Sequence, residues 1–325
     1  MKGISYLDNK IKPKKQQMIS IIVPMYNEEE VIEIFYKRVT DVLLKIEYKT
    51  EILFVNDGSN DDSLDIVRRL QKDDKRIKYL DLARNFGKEL AMAAGIDYAK
   101  GDAIVVIDAD LQDPPELILD MVHYWEAGYD DVYAKRTSRK GETFLKKFTS
   151  KLFYRVLEFS SKVPIQKDTG DFRLLSKKAL ESLRELRETQ RYTKGLFSLI
   201  GHRKKELLYE RDPRIAGTTK WNYFKLIDLA IEGICCFTTA PLRLAIFLGL
   251  TVSFLSFIYM FIIIYQKLFT EVKVEGYSSI MCAVLFLGGI QLFSLGIIGE
   301  YLGRVFNETK NRPLYFINEY SNIED

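Results

Sequence analysis

Hydrophobic and polar positions follow two different rhythms along this chain. Up to about residue 220, short runs rich in aliphatic and β-branched side chains, at 19–23, 52–55, 77–82 and 103–107, alternate with stretches of helical period. In the clearest of these stretches Val31, Phe35, Val39, Val42 and Ile46 recur at three- and four-residue steps and form one apolar stripe. A β-run followed by an amphipathic helix, repeated, predicts a mostly parallel sheet covered by helices on both faces, a three-layer Rossmann-like α/β domain.

Beyond residue 243 the alternation stops. Residues 244–265 and 278–299 are each 22 consecutive residues without a formal charge. At ~1.5 Å per residue each would reach about 33 Å, enough for a hydrocarbon core of roughly 30 Å. The pattern predicts a two-helix transmembrane hairpin, the competing reading being two buried helices of a soluble core. Gly288, Gly289, Gly296, Gly299 and Gly303 would permit close helix contacts within one subunit or in a homo-oligomer.

Charge placement gives the hairpin a direction. The opening MKGISYLDNKIKPKK has no apolar core of the secretory kind, so the α/β domain is expected to stay in the cytosol. Lys225 and Arg243 precede the first span and Arg304, Lys310 and Arg312 follow the second, whereas the connecting QKLFTEVKVEGY balances two lysines with two glutamates. The positive-inside rule then places both ends, and both termini, on the cytosolic side of the cell membrane. Two flanking segments are amphipathic. In one, Phe144, Leu145, Phe148, Leu152, Val156 and Phe159 alternate with Lys146, Lys147, Lys151 and Arg155; residues 221–234 behave similarly. Either fits a helix lying in the headgroup layer or one facing a core. The expected organisation is a tail at 1–17, an α/β domain at 18–220 with an interface helix at 143–160, a juxtamembrane segment at 221–243, the hairpin at 244–303 and a cytosolic tail at 304–325.

Composition narrows the chemistry. With 48 basic and 45 acidic residues the net charge of +3 makes no global basic field, so nucleic acid is not an expected partner. Cys235, Cys236 and Cys282 lack metal-type spacing, and only His123 and His202 are available for imidazole chemistry. Any metal is expected to be oxygen-bound. No GxGxxG follows the first β-run and no GxxxxGK[ST] occurs, which removes the main support for dinucleotide oxidoreductases and P-loop NTPases.

Parallel α/β sheets bind ligands beyond the carboxyl ends of their strands. There the chain carries Pro24, Tyr26, Asn27 and Glu28 after the first run, Asn56, Asp57, Gly58 and Ser59 after the second, and Asp108, Asp110 and Gln112 after the fourth. These are expected to converge on one edge. An Asp-x-Asp pair with a nearby Gln offers hard oxygen ligands and spare coordination positions, suited to Mg²⁺ or Mn²⁺ already holding a diphosphate. Aspartates at loop starts are common turn formers, so the pair gains meaning only from its company.

That company is specific. VPMYNEEE, FVNDGSNDD, LARNFGKE, VVIDADLQDPPE, TGDFRLLS and RDPRIAGTTKW, in this order, resemble the successive signatures of family 2 glycosyltransferases, in particular the membrane-anchored polyprenyl-phosphate (bactoprenol) glucosyltransferases related to dolichyl-phosphate mannosyltransferase. The resemblance covers residue 20 to the end, and departs from many relatives at Asn56, where they carry an aspartate. It implies a GT-A nucleotide-sugar domain with Pro24, Tyr26, Glu28 and Asp57 around base and ribose, and Asp108, Asp110 and Gln112 at the metal. Asp171 would stand near the sugar and acceptor, with Arg136, Arg139, Arg211, Arg214 and Lys220 in segments that meet phosphates. The implied reaction is metal-dependent, inverting transfer of a hexose, glucose from UDP-glucose by first choice, to a polyprenyl phosphate such as undecaprenyl phosphate. For each of those cations a solvated surface role competes, and for Asp171 a turn-organising one. A polysaccharide-extending synthase of the same fold and a catalytically silent membrane scaffold are the alternative functions.

Overall fold

The structure, a computed structural model, describes residues 16–137, 169–189, 191–210, 235, 238–269 and 276–321. Those residues fall into two compact units, an α/β unit and a helical one. The α/β unit holds an eight-stranded sheet in the order β7-β5-β6-β4-β1-β2-β3-β8. Its strands are β1 (Met18–Met25), β2 (Lys49–Asn56), β3 (Ile77–Leu82), β4 (Ala103–Val106), β5 (Asp131–Arg136), β6 (Thr169–Ser176), β7 (Lys204–Tyr209) and β8 (Ile317–Ser321). The helices of this unit are α1 (Ile32–Leu43), α2 (Ser63–Asp73), α3 (Lys88–Tyr98), α4 (Leu117–Glu126), α5 (Lys177–Glu185) and α6 (Thr193–Leu199).

The four runs read from the sequence form the parallel centre: β1 pairs in parallel with both β2 and β4, and β2 with β3. Their side chains alternate between two helical layers, as the two-residue period of a strand requires. Ile19, Ile21, Val23, Ile52, Phe54, Ala103 and Val105 join one buried cluster with Phe35, Val39 and Val42 of α1, Val67 of α2 and Met121 of α4. On the opposite face α3 lies against β1 and β2 so closely that a Cβ on Gly95 would stand 2.3 Å from Ile22 Cγ2. The three-layer α/β fold expected from the pattern is the fold observed. Because β1 is flanked by β2 on one side and β4 on the other, the order of connection reverses between β1 and β4, and ligand crevices form at such a switch point.

Strands β6 and β8 are antiparallel additions. In the middle of β6 the fully buried Arg173 bonds both carboxylate oxygens of Asp131 at 3.2 Å and stacks 3.6 Å above the Phe197 ring. The segment expected to be a C-terminal tail carries β8, which pairs with β3.

The helical unit contains α7 (Ala240–Phe269, 30 residues) and α8 (Tyr277–Thr309, 33 residues), which pack against each other. Ala240–Gln266 and Ser279–Thr309 are each long and apolar enough to cross a bilayer, and their large side chains, among them Leu250, Phe254, Phe261, Leu285 and Leu292, are exposed. The Tyr301 hydroxyl donates to the Thr238 carbonyl at 2.6 Å, and Arg304 meets Glu300 one turn away at 2.7 Å. The amphipathic segments at 144–159 and 221–234 lie outside the described residues.

Candidate active site

At the ends of β1 and β2, which finish in register at Met25 and Asn56, two turns are stitched together. The Asn27 amide donates to Ser59 Oγ at 3.0 Å, the Asn60 amide donates to Asn27 Oδ1 at 2.8 Å, and the Glu28 amide donates to Ser63 Oγ at 2.8 Å. Asn27 stands at φ +54°, in the left-handed region that Asn tolerates better than most residues. Pro24 is buried in β1, Glu28 is half-buried and Tyr26 is exposed beyond the strand end.

A third segment, the loop from β3 to α3, presses on these turns. Gly58 adopts φ +67°, and a Cβ there would lie 2.6 Å from the backbone of Arg84 and Asn85. Only glycine meets both demands, a positive φ and a contact closer than any side chain allows. Next to it, buried Asp57 accepts from the Phe86 amide at 2.7 Å and the Gly87 amide at 2.9 Å. Burial raises the Asp57 carboxyl above its ordinary range, against the opposing pull of those amides and of Arg84. The residue expected near the base thus also holds the 84–88 loop.

That loop delivers Lys88, the first residue of α3, to the switch point. In the antiparallel β4–β6 ladder Val106 pairs with Arg173, so continuing the register by two residues sets Asp171 opposite Asp108. Lys88 Nζ bridges them, 2.7 Å from Asp108 Oδ1 and 2.6 Å from Asp171 Oδ2. Exposure falls across the trio, from 45% for the Lys88 side chain to 25% for Asp108 and 11% for Asp171, so the trio faces solvent from its lysine side. Burial opposes charge on Lys88, but Asp108 and Asp171 outweigh it and its pKa is raised. Burial likewise opposes charge on Asp171, yet Lys88, with Lys194 behind it, brings that carboxyl down to about 2. Asp171 Oδ1 is buried with no hydrogen-bond partner among the described residues. Asp171 sits inside a strand rather than in a turn, so no turn-organising task accounts for it. Glu89, next along α3, accepts from the Thr193 amide at 3.2 Å, and burial followed by the charge of Asp171 raises its pKa.

The turn after β4 is drawn tight: Asp110 Oδ1 accepts from the Gln112 amide at 3.1 Å, and between them Leu111 is buried at φ +56°. A non-glycine residue held there is a strained feature of the kind that collects at binding sites. Buried Asp113 takes the Tyr209 hydroxyl, whose oxygen accepts from Arg136 Nε at 3.2 Å. Arg136 is therefore anchored by β7, with its guanidinium beside Gly170.

The structure thus brings Asp108, Asp171 and the turn tethered by Asp57 to one edge, with Asp110 and Gln112 in the turn that follows Asp108. Arg139, Arg211, Arg214 and Lys220 lie outside the described residues. Lys88 and Glu89 were not singled out by residue chemistry, although both stand in the LARNFGKE run. Among the described residues no group of three or more carboxylate, imidazole or thiol side chains is arranged to hold a metal ion. Two carboxylates in a tight turn nevertheless fit a divalent ion that arrives with phosphate oxygens, because Mg²⁺ keeps most of its shell as water and substrate. The orphaned Asp171 oxygen shows that the edge has acceptor capacity to spare.

Comparison with known proteins agrees in order and extent. A model described as glycosyl transferase family 2 matches residues 20–184, and one described as the GtrB C-terminal hairpin matches residues 240–305. A Synechocystis protein called an uncharacterized glycosyltransferase is 48% identical over 306 residues, covering 94% of this chain and 96% of its own. The putative glycosyltransferase CsbB of Bacillus subtilis is 42% identical, covering 94% of this chain and 92% of its own. The prophage-derived bactoprenol glucosyl transferase of Shigella flexneri is 43% identical, covering 93% of this chain and 97% of its own.

Proposed function

The chain belongs to glycosyltransferase family 2, and from that premise we propose that it moves glucose from UDP-glucose to the phosphate of a membrane polyprenol such as undecaprenyl phosphate, inverting the anomeric carbon. The observation that carries this reading is the meeting of Asp108 and Asp171 around Lys88 at the switch point of the sheet. The lipid acceptor is supported by the apolar hairpin, matched by its own family model and shared over nearly the whole length with relatives named for bactoprenol.

Displacement at the anomeric carbon leaves a diphosphate that gains negative charge as the glycosidic bond breaks. Mg²⁺ or Mn²⁺, held by Asp108 and Asp110 with Gln112 beside them, would supply Lewis-acid neutralisation of that charge when bound. Lys88, already at Asp108, adds a cation on the protein's side, and donors fixed before the reaction stabilise developing charge most effectively. The acceptor needs less help. A phosphate monoester has a second pKa of about 6, so it is mostly dianionic at neutral pH and attacks without losing a proton.

This matches the character of Asp171. A carboxylate lowered to about 2 is ionised at neutral pH and is a poor proton acceptor, so its task is to orient a sugar hydroxyl or the ammonium of Lys88. A hydroxyl acceptor would need the opposite, a base tuned toward neutrality. In the membrane, the exposed apolar faces of α7 and α8 would lie in lipid. The chain returns after α8 to pair β8 with β3, which supports an even number of spans with the catalytic domain on the cytosolic side.

The test is to incubate membranes containing the protein with labelled nucleotide sugars, polyprenyl phosphate and Mn²⁺ or Mg²⁺. A solvent-extractable glycolipid, labile to mild acid and formed best from UDP-glucose, is the expected product. A growing polymer, or equal turnover in chelator, would overturn the acceptor or the metal assignment respectively.

A further inference from the structure

Strand β8 reaches the ends of β2 and β3 through side chains that no strand pairing requires. Its ladder with β3 is irregular: Asp81 pairs with Glu319 and Leu82 with Ile317, so Asn318 is the extra residue of a bulge. Bulges re-aim side chains. Here the Asn318 amide donates to Asp81 Oδ2 at 2.8 Å, while Asn56, opposite Asp81 in the β2–β3 register, donates to Asp81 Oδ1 at 2.7 Å. The side-chain oxygen of the same amide, Asn56 Oδ1, in turn accepts from the Ser59 backbone amide at 3.1 Å. A relay thus runs from β8 through Asp81 and Asn56 into the Asp57–Ser59 turn. It also accounts for the amide at position 56, since a carboxylate there would face Asp81 with no proton to offer.

A second contact reaches the partner loop. The Phe316 carbonyl accepts from the Ala83 amide at 2.9 Å, and the Phe316 ring lies 6.3 Å from that of Phe86, whose amide holds Asp57. The strand and the residue that leads into it therefore brace both segments that Gly58 and Asp57 bring together.

We propose that β8, with Phe316 just before it, is a positioning element of the donor pocket: Asn318, through Asp81 and Asn56, and Phe316, through Phe86, hold the 56–59 and 84–88 turns where a nucleoside diphosphate binds. This rests on the reading of that edge as the donor site. Binding of UDP and GDP to the full-length, detergent-solubilised protein is measured by calorimetry with Mn²⁺ present, together with kcat, donor KM, acceptor KM and Tm. For Asn318→Ala the expected result is a roughly tenfold loss of nucleotide affinity and a matching rise in donor KM, with kcat and acceptor KM within about twofold. Asn318→Asp, which sets two carboxylates against each other, loses more. The double variant Asn318→Asp with Asp81→Asn restores a donor to each acceptor and recovers most of the affinity, a rescue that follows the hydrogen-bond polarity rather than stability. Nucleotide affinity in both Asn318 variants within twofold of the unmodified protein overturns the proposal, as does a double variant no better than Asn318→Asp. If the unmodified protein binds neither UDP nor GDP, the donor-site reading falls and this proposal with it.

Discussion

Two pairs of aspartates at this sheet edge are treated in opposite ways. Asp57 and Asp81 are buried, and each oxygen of each carboxylate receives an N–H: two backbone amides for Asp57, two side-chain amides for Asp81. Asp108 and Asp171 instead share one lysine ammonium, and one oxygen of Asp171 has no partner among the described residues. A buried carboxylate with its full set of donors fixes backbone, whereas one left short of donors retains free energy to be realised when a ligand supplies the missing contact. The first pair is frame. The second is where chemistry is expected.

The largest effects are expected at the second pair. Asp171→Asn keeps shape and removes charge; kcat is expected to fall on the order of 10³-fold, with Tm shifted by no more than ~2–4 °C, the equivalent of about 1 kcal/mol for a domain of this size. Asp110→Asn is expected to lose a similar factor, through the donor diphosphate and its ion. Assays of glycolipid formation beside thermal melts check both. A Tm collapse with Asp171→Asn would make this aspartate a frame residue like Asp57 and erase the contrast.

Lys88 comes next. Lys88→Met leaves Asp108 and Asp171 facing each other without their shared cation, and the expected loss in kcat is on the order of 10²-fold, with Lys88→Arg recovering part of it. Because Asp171 holds the lysine ammonium in place, combining Lys88→Met with Asp171→Asn should cost far less than the product of the two single losses. A multiplicative double variant would mean that the contact carries no functional coupling.

How much of this is legible without coordinates differs by region for physical reasons. The central strands β1 to β4 announce themselves because strands covered on both faces are continuous apolar runs bounded by turns. Strand β6 does not, since Arg173 interrupts its run, and the partners that make that charge tolerable, among them Asp131 and Phe197, are remote in the sequence. Strand β7, KKELLY, and strand β8, INEYS, lie at the two edges and read as polar segments. Asp57, Asp108 and Asp171 stand out as acids after strands or in a recurrent motif. Lys88 resembles any lysine that opens a helix; its meaning comes from a partner 83 residues away, which a local pattern does not contain.

The smallest expected effect, and the one that separates the two pairs by sign, is that of pH. Asp57 has a raised pKa and Asp171 a lowered one, so on acidification from neutrality Asp57 takes up its proton first, above the usual aspartate value of about 4, while Asp171 stays ionised until about 2. For stability the two run oppositely. The raised Asp57 costs stability at neutral pH, and the cost is relieved as pH falls through its folded and then its unfolded value; the lowered Asp171 contributes stability above its unfolded value that disappears as pH approaches 2. For donor binding, protonating Asp57 weakens its hold on the Phe86 and Gly87 amides and loosens the loop that delivers Lys88. Nucleotide affinity should therefore fall several-fold on the acid side with no accompanying loss of Tm from this group. The diphosphate itself titrates at about 6, so Asp57→Asn serves as the reference: its affinity should be lower at neutral pH and follow only the ligand's own titration. Identical pH profiles for the two proteins would show that the tether at Asp57 does not govern the donor site, and the frame would have to be sought elsewhere along the edge.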